Sequence, residues 1–210
     1  MKRLLRIDAS ANPSSSVSRE LADQFESNWK QNNPAGEVYY RDLSIEPPNH
    51  LSPQILAAMF SPEPTVEQQA LLTKSVELIE ELKSADTVLV ATPMYNFGIP
   101  STLKSYFDHI ARAGLTFQYT EQGPQGLIEG INAVAIVSSG GDYRQPPLDS
   151  MNFVDGYLKT IFGFMGIEDV TLIHAAGLAM GEEQAKKAKQ EASEAIQKYF
   201  KTIEETLFRW

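Results

Sequence analysis

Apolar residues come along this chain in two alternating rhythms. Thr87–Thr92 (TVLVAT) and Ala133–Ser139 (AVAIVSS) are unbroken runs of strand length, the pattern of strands covered on both faces. Leu4–Asp8 (LLRID) and Val170–Gly177 (VTLIHAAG) are two more strands, and Glu37–Leu43 (EVYYRDL) is β-rich and partly alternating. Between them the period changes to that of a helix. Leu21, Phe25 and Trp29 recur at four-residue spacing and predict a helix from about Arg19. Ile45–Pro64 is irregular, with a short helix expected around Pro53–Phe60. Thr65 with Gln68 three residues on is a capping box, opening a helix that carries Leu72, Val76, Ile79 and Leu82 on one face. Pro100 stands where a helix begins, because the first turn has no use for its missing N–H. Leu103, Phe107 and Ile110 form that helix's stripe, and Gly114 is its expected C-cap. Leu115–Gly130 has turn chemistry at its centre and reads as a hairpin or extended loop. TIFGFMG ends a further helix, and Glu182 to about Leu207 is a long charged one.

Five strands alternating with helices imply a parallel sheet covered on both faces. With no repeat, linker or low-complexity block, residues 1–210 are expected to form one domain. In open sheets of this kind ligands sit at the carboxyl ends of the strands. Three loops leave those ends with unusual composition: Ser10–Ser18, Pro93–Gly98 and Ser138–Tyr143.

The first, SANPSSSVSR, is rich in hydroxyls and runs into a helix, whose first-turn N–H groups favour an anion. It lacks both GxxxxGK[ST] and GxGxxG, so a nucleoside triphosphate or a dinucleotide wrapped over this turn is not expected. One phosphate monoester held by neutral donors fits, with Ser10, Ser16 and Ser18 adding hydroxyls. The second, PMYNFG, offers flat apolar surface and one amide where the backbone is free of both strand and helix. The third, SSGGDY, removes side chains at Gly140 and Gly141, where a backbone must come close to something. Each has an ordinary reading as a turn or core plug. Together they describe a site for a mononucleotide with a large flat ring.

The formal net charge of −9 and the lack of a Lys/Arg cluster argue against nucleic acid and anionic membrane surfaces as partners. There are no cysteines, so disulfides, thiol catalysis and Cys-based zinc sites are excluded. His50, His109 and His174 are scattered without metal spacing, and no GxSxG marks a hydrolase. No metal site is expected. Arg6 and Asp8 interrupt the apolar N-terminal run and no stretch has the length of a membrane span, so a cytoplasmic protein is expected. Asp108 and Arg112 are expected to form an ion pair at helical spacing.

Ser10 with SVSR at 16–19, PMYNF at 93–97, LKSYFDHIARAGLTFQYTEQGPQGL and SSGG at 138–141 resemble the FMN-dependent NADH:quinone oxidoreductases and NADH-azoreductases of bacteria. The likeness runs nearly end to end, including IFGFMGI before the last strand. It implies a flavodoxin-like three-layer sandwich of strand order 2-1-3-4-5, and a homodimer, for which Phe107, Ile110 and the 115–130 excursion are the candidate surface. It implies FMN, with its phosphate at Ser10, Ser16, Val17 and Ser18. The ring would lie against Pro93, Met94, Tyr95, Asn96 and Phe97 and the loop Ser138, Ser139, Gly140 and Gly141. Phe117, Tyr119, Tyr143 and Phe162 would line the substrate pocket. The implied reaction is ping-pong: NADH or NADPH reduces the flavin, and a quinone or azo compound is then reduced by two electrons. The flavin N5 does the chemistry, with no catalytic side chain. Ser139 stands where the family often has Arg, and Gly98 and Pro100 where others carry polar residues.

Two other proteins share the expected architecture. A phosphoacceptor receiver needs an Asp after the third strand and a Lys after the fifth, where this chain has Thr92-Pro93 and HAAGLAM. An electron-carrier flavodoxin is the alternative within the flavin-binding reading. It would shield its ring and have no use for a wall built from Leu115–Leu127.

Overall fold

A computed structural model of the protein describes the backbone of residues 1–207 and the side chains of residues 1–202. The elements in chain order are β1 (Arg3–Asp8), α1 (Val17–Asn32), β2 (Glu37–Asp42), α2 (Pro53–Met59), α3 (Val66–Ser84), β3 (Thr87–Pro93), α4 (Ser101–Ile110), β4 (Phe117–Thr120), β5 (Gly123–Gly126), β6 (Asn132–Ser139), α5 (Phe153–Met165), β7 (Val170–Ala176) and α6 (Glu182–Leu207). Five strands form one sheet in the order β2-β1-β3-β6-β7, with every pairing parallel. This is the 2-1-3-4-5 order, once β4 and β5 are set aside as a separate antiparallel hairpin.

The sheet divides the core in two. On one face Leu5, Ile7, Val88, Val90, Ala135 and Val137 pack under α3, α4 and α5, with Leu103, Phe107 and Phe162 among the contacts. On the other, Leu4, Leu89, Ala91, Val134, Ile136 and Ile173 pack under α1 and α6, against Phe25, Trp29 and Ile196. The uninterrupted apolar runs of β3 and β6 follow from this, since both of their faces are covered. Arg6, on β1, is buried beneath α1, where its guanidinium meets Asp8, Asp23 and Glu26 at 3.1, 2.6 and 2.9 Å.

Four local expectations are corrected. Gly114 does not cap α4, which ends at Ile110. The Thr116 hydroxyl donates to the Ile110 carbonyl at 2.6 Å and accepts the Arg112 N–H at 2.9 Å, closing the helix early. For the same reason Asp108 and Arg112 are not a pair. Arg112 lies off the helix and reaches the Ser75 hydroxyl at 3.3 Å, while Asp108 binds Lys104. Val76 is exposed, because the buried stripe of α3 runs through Leu72, Ser75, Leu78, Ile79 and Leu82 and leaves position 76 on the flank. Phe107 and Ile110 lie wholly inside the core and present no surface to a partner.

The capping box of α3 is complete: the Gln68 N–H donates to the Thr65 hydroxyl at 3.3 Å, and the Thr65 N–H to the Gln68 side chain at 2.9 Å. The hairpin β4–β5 docks on the C-terminal end of α5 through a close backbone approach at two glycines and the Phe117–Phe164 ring contact. A Cβ on Gly126 would come within 2.1 Å of the Gly166 nitrogen, and one on Gly166 within 2.5 Å of the Ile128 carbonyl oxygen. Among the described residues no helix is long and apolar enough to cross a membrane.

Candidate functional site

The three loops singled out in the sequence meet at the carboxyl edge of the sheet. The Ala11 N–H donates to the Tyr95 hydroxyl at 3.3 Å and joins the first loop to the second. The Met94 N–H donates to the Ser138 carbonyl at 2.7 Å, and the Phe97 and Tyr143 rings meet edge to face at 5.7 Å, joining the second to the third.

In the first loop Asn12 turns the chain, its side-chain oxygen accepting the N–H groups of Ser14 and Ser15, each at 3.1 Å. Ser16 is the N-cap of α1, with extended backbone and a hydroxyl that accepts the Arg19 N–H at 3.5 Å. The N–H groups of Val17 and Ser18 fall in the first turn, where a helix offers them no acceptor. Ser18 is fully buried with its hydroxyl 3.1 Å from that of Ser16, and Ser10 is buried with its hydroxyl accepting the Asn12 N–H at 3.2 Å. Ser16 is thus the half-buried hydroxyl of the set; Ser18 braces it from within, and Ser10 braces the turn at Asn12. Arg19 adds no free charge here. It donates to the Ser10 carbonyl at 2.8 Å and grips Asp42 through two nitrogens, at 2.6 and 2.8 Å. That grip holds the Asp42 carboxyl at about 2, below its ordinary value. The cradle that results is one of neutral donors.

In the second loop Tyr95 and Gly98 exchange both backbone hydrogen bonds, at 2.9 and 3.1 Å. The residues between them have positive φ, 49° at Asn96 and 69° at Phe97, so the chain reverses in a two-residue turn of type I′. Asn tolerates this conformation; a bulky residue such as Phe seldom adopts it. The Phe97 carbonyl accepts the Phe153 N–H, from the first turn of α5, at 3.1 Å. The N–H groups of Asn96 and Phe97 have no acceptor among the described residues, and both side chains are exposed.

The third loop is held from behind. Its carbonyls at Ser139, Gly140 and Gly141 accept the N–H groups of Leu178, Ala179 and Gly177, at 3.0, 2.9 and 3.1 Å. Ser139 is buried, and its hydroxyl donates to the Gly141 carbonyl at 2.8 Å. The residue that departs from the family's frequent Arg is therefore an internal brace. The N–H groups of Gly140 and Gly141 are without acceptors among the described residues. Beyond the loop, Asp142 and Arg144 pair at 2.7 and 2.8 Å, which lowers the Asp142 carboxyl to about 2.

The expected substrate pocket does not hold together. Phe162 is corrected to core: it is 1% exposed and packs edge to face on Phe107 at 5.4 Å, because α5 turns it toward the sheet. Phe117 is buried too, its ring 4.3 Å from that of Phe164. Tyr119 stands out on the hairpin at 75% exposure, and Tyr143 lies half-buried against Phe97. Within one chain the latter two are the aromatic residues of the four with surface to offer.

Several residues that shape the site were not singled out in the sequence. Asn152 caps α5, its side-chain oxygen accepting the N–H groups of Val154 and Asp155 at 3.1 and 3.2 Å, and so aims the Phe153 N–H at Phe97. The signal was present as an Asn with an Asp three residues on. Arg19 and the Gly177–Ala179 segment carried no comparable signal, since both act through contacts remote in sequence.

A flavin mononucleotide suits what is present: outward N–H donors and a hydroxyl at a helix N-terminus for one phosphate, and a strained turn and a glycine loop with free N–H groups for a polar-edged flat ring. The fold and this edge define a mononucleotide-binding protein of the doubly wound, parallel α/β class. The family of flavodoxin-like fold matches residues 2–200, and the chain belongs to it. It is 51% identical over 199 residues to the FMN-dependent NADH:quinone oxidoreductase of Hydrogenovibrio crunogenus, covering 94% of this chain and 98% of that one. It is 45% identical over 205 residues to FMN-dependent NADH:quinone oxidoreductase 3 of Pseudomonas aeruginosa, covering 96% and 94%. Among solved structures, an FMN-dependent NADH-azoreductase from Bacillus anthracis in complex with FMN superposes with a TM-score of 0.84 at 31% identity, over 95% of this chain and 99% of that one.

Proposed function

We propose that this protein is an FMN-dependent oxidoreductase that takes electrons from NADH or NADPH and delivers them in pairs to quinones and aromatic azo compounds. The activities for which the relatives are named support the reading, as do the long shared spans. The observation in this chain that carries it is the set of outward N–H groups on three interlocked loops: Val17 and Ser18, Asn96 and Phe97, Gly140 and Gly141.

When bound, FMN would supply the redox chemistry, two-electron transfer from nicotinamide to acceptor. The chain's part is binding and polarisation. Ser16 and the N–H groups of Val17 and Ser18 hold the phosphate, with Ser10 bracing the turn. Pro93, Met94, Tyr95, Asn96 and Phe97 form one wall of the ring site, and Ser138, Ser139, Gly140 and Gly141 the other. Fixed N–H dipoles at Gly140 and Gly141 would favour negative charge on a bound ring without having to reorient. No side chain in the three loops is asked to act as acid or base.

The active form is a homodimer in this reading, with residues 1–210 folding as one domain. Tyr95, Phe97 and Phe153 leave apolar surface exposed around the mouth, and Tyr119 projects on the hairpin, largely exposed although its ring touches Phe117 edge to face. A second copy's hairpin closes the substrate pocket.

Reconstitution of the apoprotein with FMN and FAD, followed by NADH oxidation with benzoquinone, tests the proposal. FMN is expected to bind more tightly, because the cradle has donors for one phosphate. Tighter FAD binding, or a yellow protein that NADH reduces but quinone fails to turn over, would defeat it.

A further inference from the structure

We infer that the segment Gly177–Ala179, between β7 and α6, is a positioning device that sets the reduction potential of the bound flavin. The inference deepens the proposed function and rests on it. Three successive N–H groups, of Gly177, Leu178 and Ala179, donate to the carbonyls of Gly141, Ser139 and Gly140 at 3.1, 3.0 and 2.9 Å. Every carbonyl of the third loop from Ser139 to Gly141 is thereby drawn toward the β7–α6 connection. Peptide planes are rigid, so fixing a carbonyl fixes the N–H on the opposite side of that plane. Drawing the Ser139 carbonyl inward aims the Gly140 N–H outward, and drawing the Gly140 carbonyl inward aims the Gly141 N–H outward.

Glycines leave these peptides free to rotate, since no Cβ opposes it. The orientation therefore has to be imposed by partners, and the clamp imposes it. The segment is itself held in shape: Gly177 has φ +82°, and a Cβ there would meet the Gln184 Cγ and the Met180 Sδ, each at 3.2 Å. The α6 helix packs on β7 through its buried Ala188, Ala192 and Ile196, and it anchors the far end of the segment.

Donors fixed toward a ring that becomes more negative on reduction bind the reduced form better than the oxidised form. Loosening them weakens reduced flavin more than oxidised flavin, and the midpoint potential falls. None of the three clamp residues contacts the proposed phosphate cradle, so the affinity for oxidised FMN changes little.

The test uses the FMN-loaded full chain. Gly177→Ala strains the segment at a positive φ, and Ala179→Pro removes the N–H that holds Gly140. Gly181→Ala is the control: it also has positive φ, at +111°, but open space around a Cβ and no bond to the third loop. Both FMN affinity and midpoint potential are measured. For the two clamp variants the reduced form is expected to lose at least tenfold more affinity than the oxidised form, which corresponds to a fall of about 30 mV for a two-electron couple. Gly181→Ala should leave the potential where it is. If one clamp variant fails to fold, the other gives the same reading. Unchanged potentials, or equal losses for oxidised and reduced FMN, overturn the inference and leave the FMN reading intact. A wild-type protein that takes up no FMN overturns both.

Discussion

The N–H of Phe153 is aimed at the carbonyl of Phe97 and meets it at 3.1 Å, tying the first turn of α5 to a left-handed residue at the sheet edge. A residue with a side chain costs roughly 1–2 kcal/mol in that conformation. The turn is kept by its closing bonds between Tyr95 and Gly98, by this tie, and by the Phe97–Tyr143 ring contact.

A reversal of the usual order of glycine and alanine follows at position 97. Phe97→Ala loses the ring contact, worth about 0.5–1.5 kcal/mol, and keeps the strain. Phe97→Gly loses the same contact and releases the strain. Denaturant unfolding of the two apoproteins should show the Gly variant more stable by about 1 kcal/mol. An Ala variant equal to or more stable than Gly would mean that position 97 is not left-handed in solution.

At the cradle, Ser16→Ala removes one hydroxyl from a charged ligand, a hydrogen bond worth about 1.5–3 kcal/mol. FMN affinity should drop roughly ten- to a hundredfold. Riboflavin, which has no phosphate, should bind as before. The helix itself should lose little, because the capping contact to the Arg19 N–H is long at 3.5 Å. Titration of both flavins by fluorescence quenching makes the comparison, and a parallel loss for riboflavin would point to collapse of the loop.

Two aromatic residues once grouped as pocket lining should now behave in opposite ways. Phe162→Ala opens a hole beside Phe107 and should cost about 3–5 kcal/mol of stability. Tyr119→Ala, on an exposed hairpin position, should leave stability within about 0.5 kcal/mol and raise the acceptor KM. Thermal unfolding together with stopped-flow flavin reoxidation separates the two. Tyr119→Phe should reoxidise nearly as fast as wild type; a collapse of that rate would assign the hydroxyl a role in proton delivery.

Acid should loosen the first loop from the Arg19 side. Bound by Arg19, Asp42 titrates at about 2 in the folded chain and near its ordinary value of 3.8 when unfolded. Its contribution is thus fully present above pH 4 and is lost as pH falls toward 2. It amounts to roughly 1–2 kcal/mol once solvent screening is allowed for. Asp8 acts with the opposite sign, since burial raises its folded value above the unfolded one. Unfolding free energies between pH 5 and 2 should fall less steeply for Asp42→Asn than for wild type. Parallel curves would remove Asp42 from the balance.

How far the sequence reached depended on the range of the forces involved. β3, β6 and the capping box of α3 were legible because burial on two faces and an i to i+3 exchange leave local patterns. The loops at 10–18, 93–98 and 138–143 stood out by composition, and parallel topology alone brought them to one edge. Gly114 misled because Thr116, two residues further on, supplies the cap through its side chain. Phe162 misled because an aromatic near a flavin loop and an aromatic in a core look alike until the helix face is known. The clamp at 177–179 had no local signature, for its partners lie about forty residues away.

The backbone contact between Gly126 and Gly166 has a consequence for how this surface can diversify. At the seam the backbones meet directly, and with the Phe117–Phe164 ring contact this fastens the hairpin to α5 at its base, while Glu121 and Gln122 at its tip are exposed. Residues 118–125 can therefore be exchanged as a cassette, altering what the rim admits while the three loops at the sheet edge, the sheet and both halves of the core stay as they are. The two glycines are the fixed hardware of that cassette: a methyl group on either would lever the whole rim away from the helix, whatever sequence the tip carried.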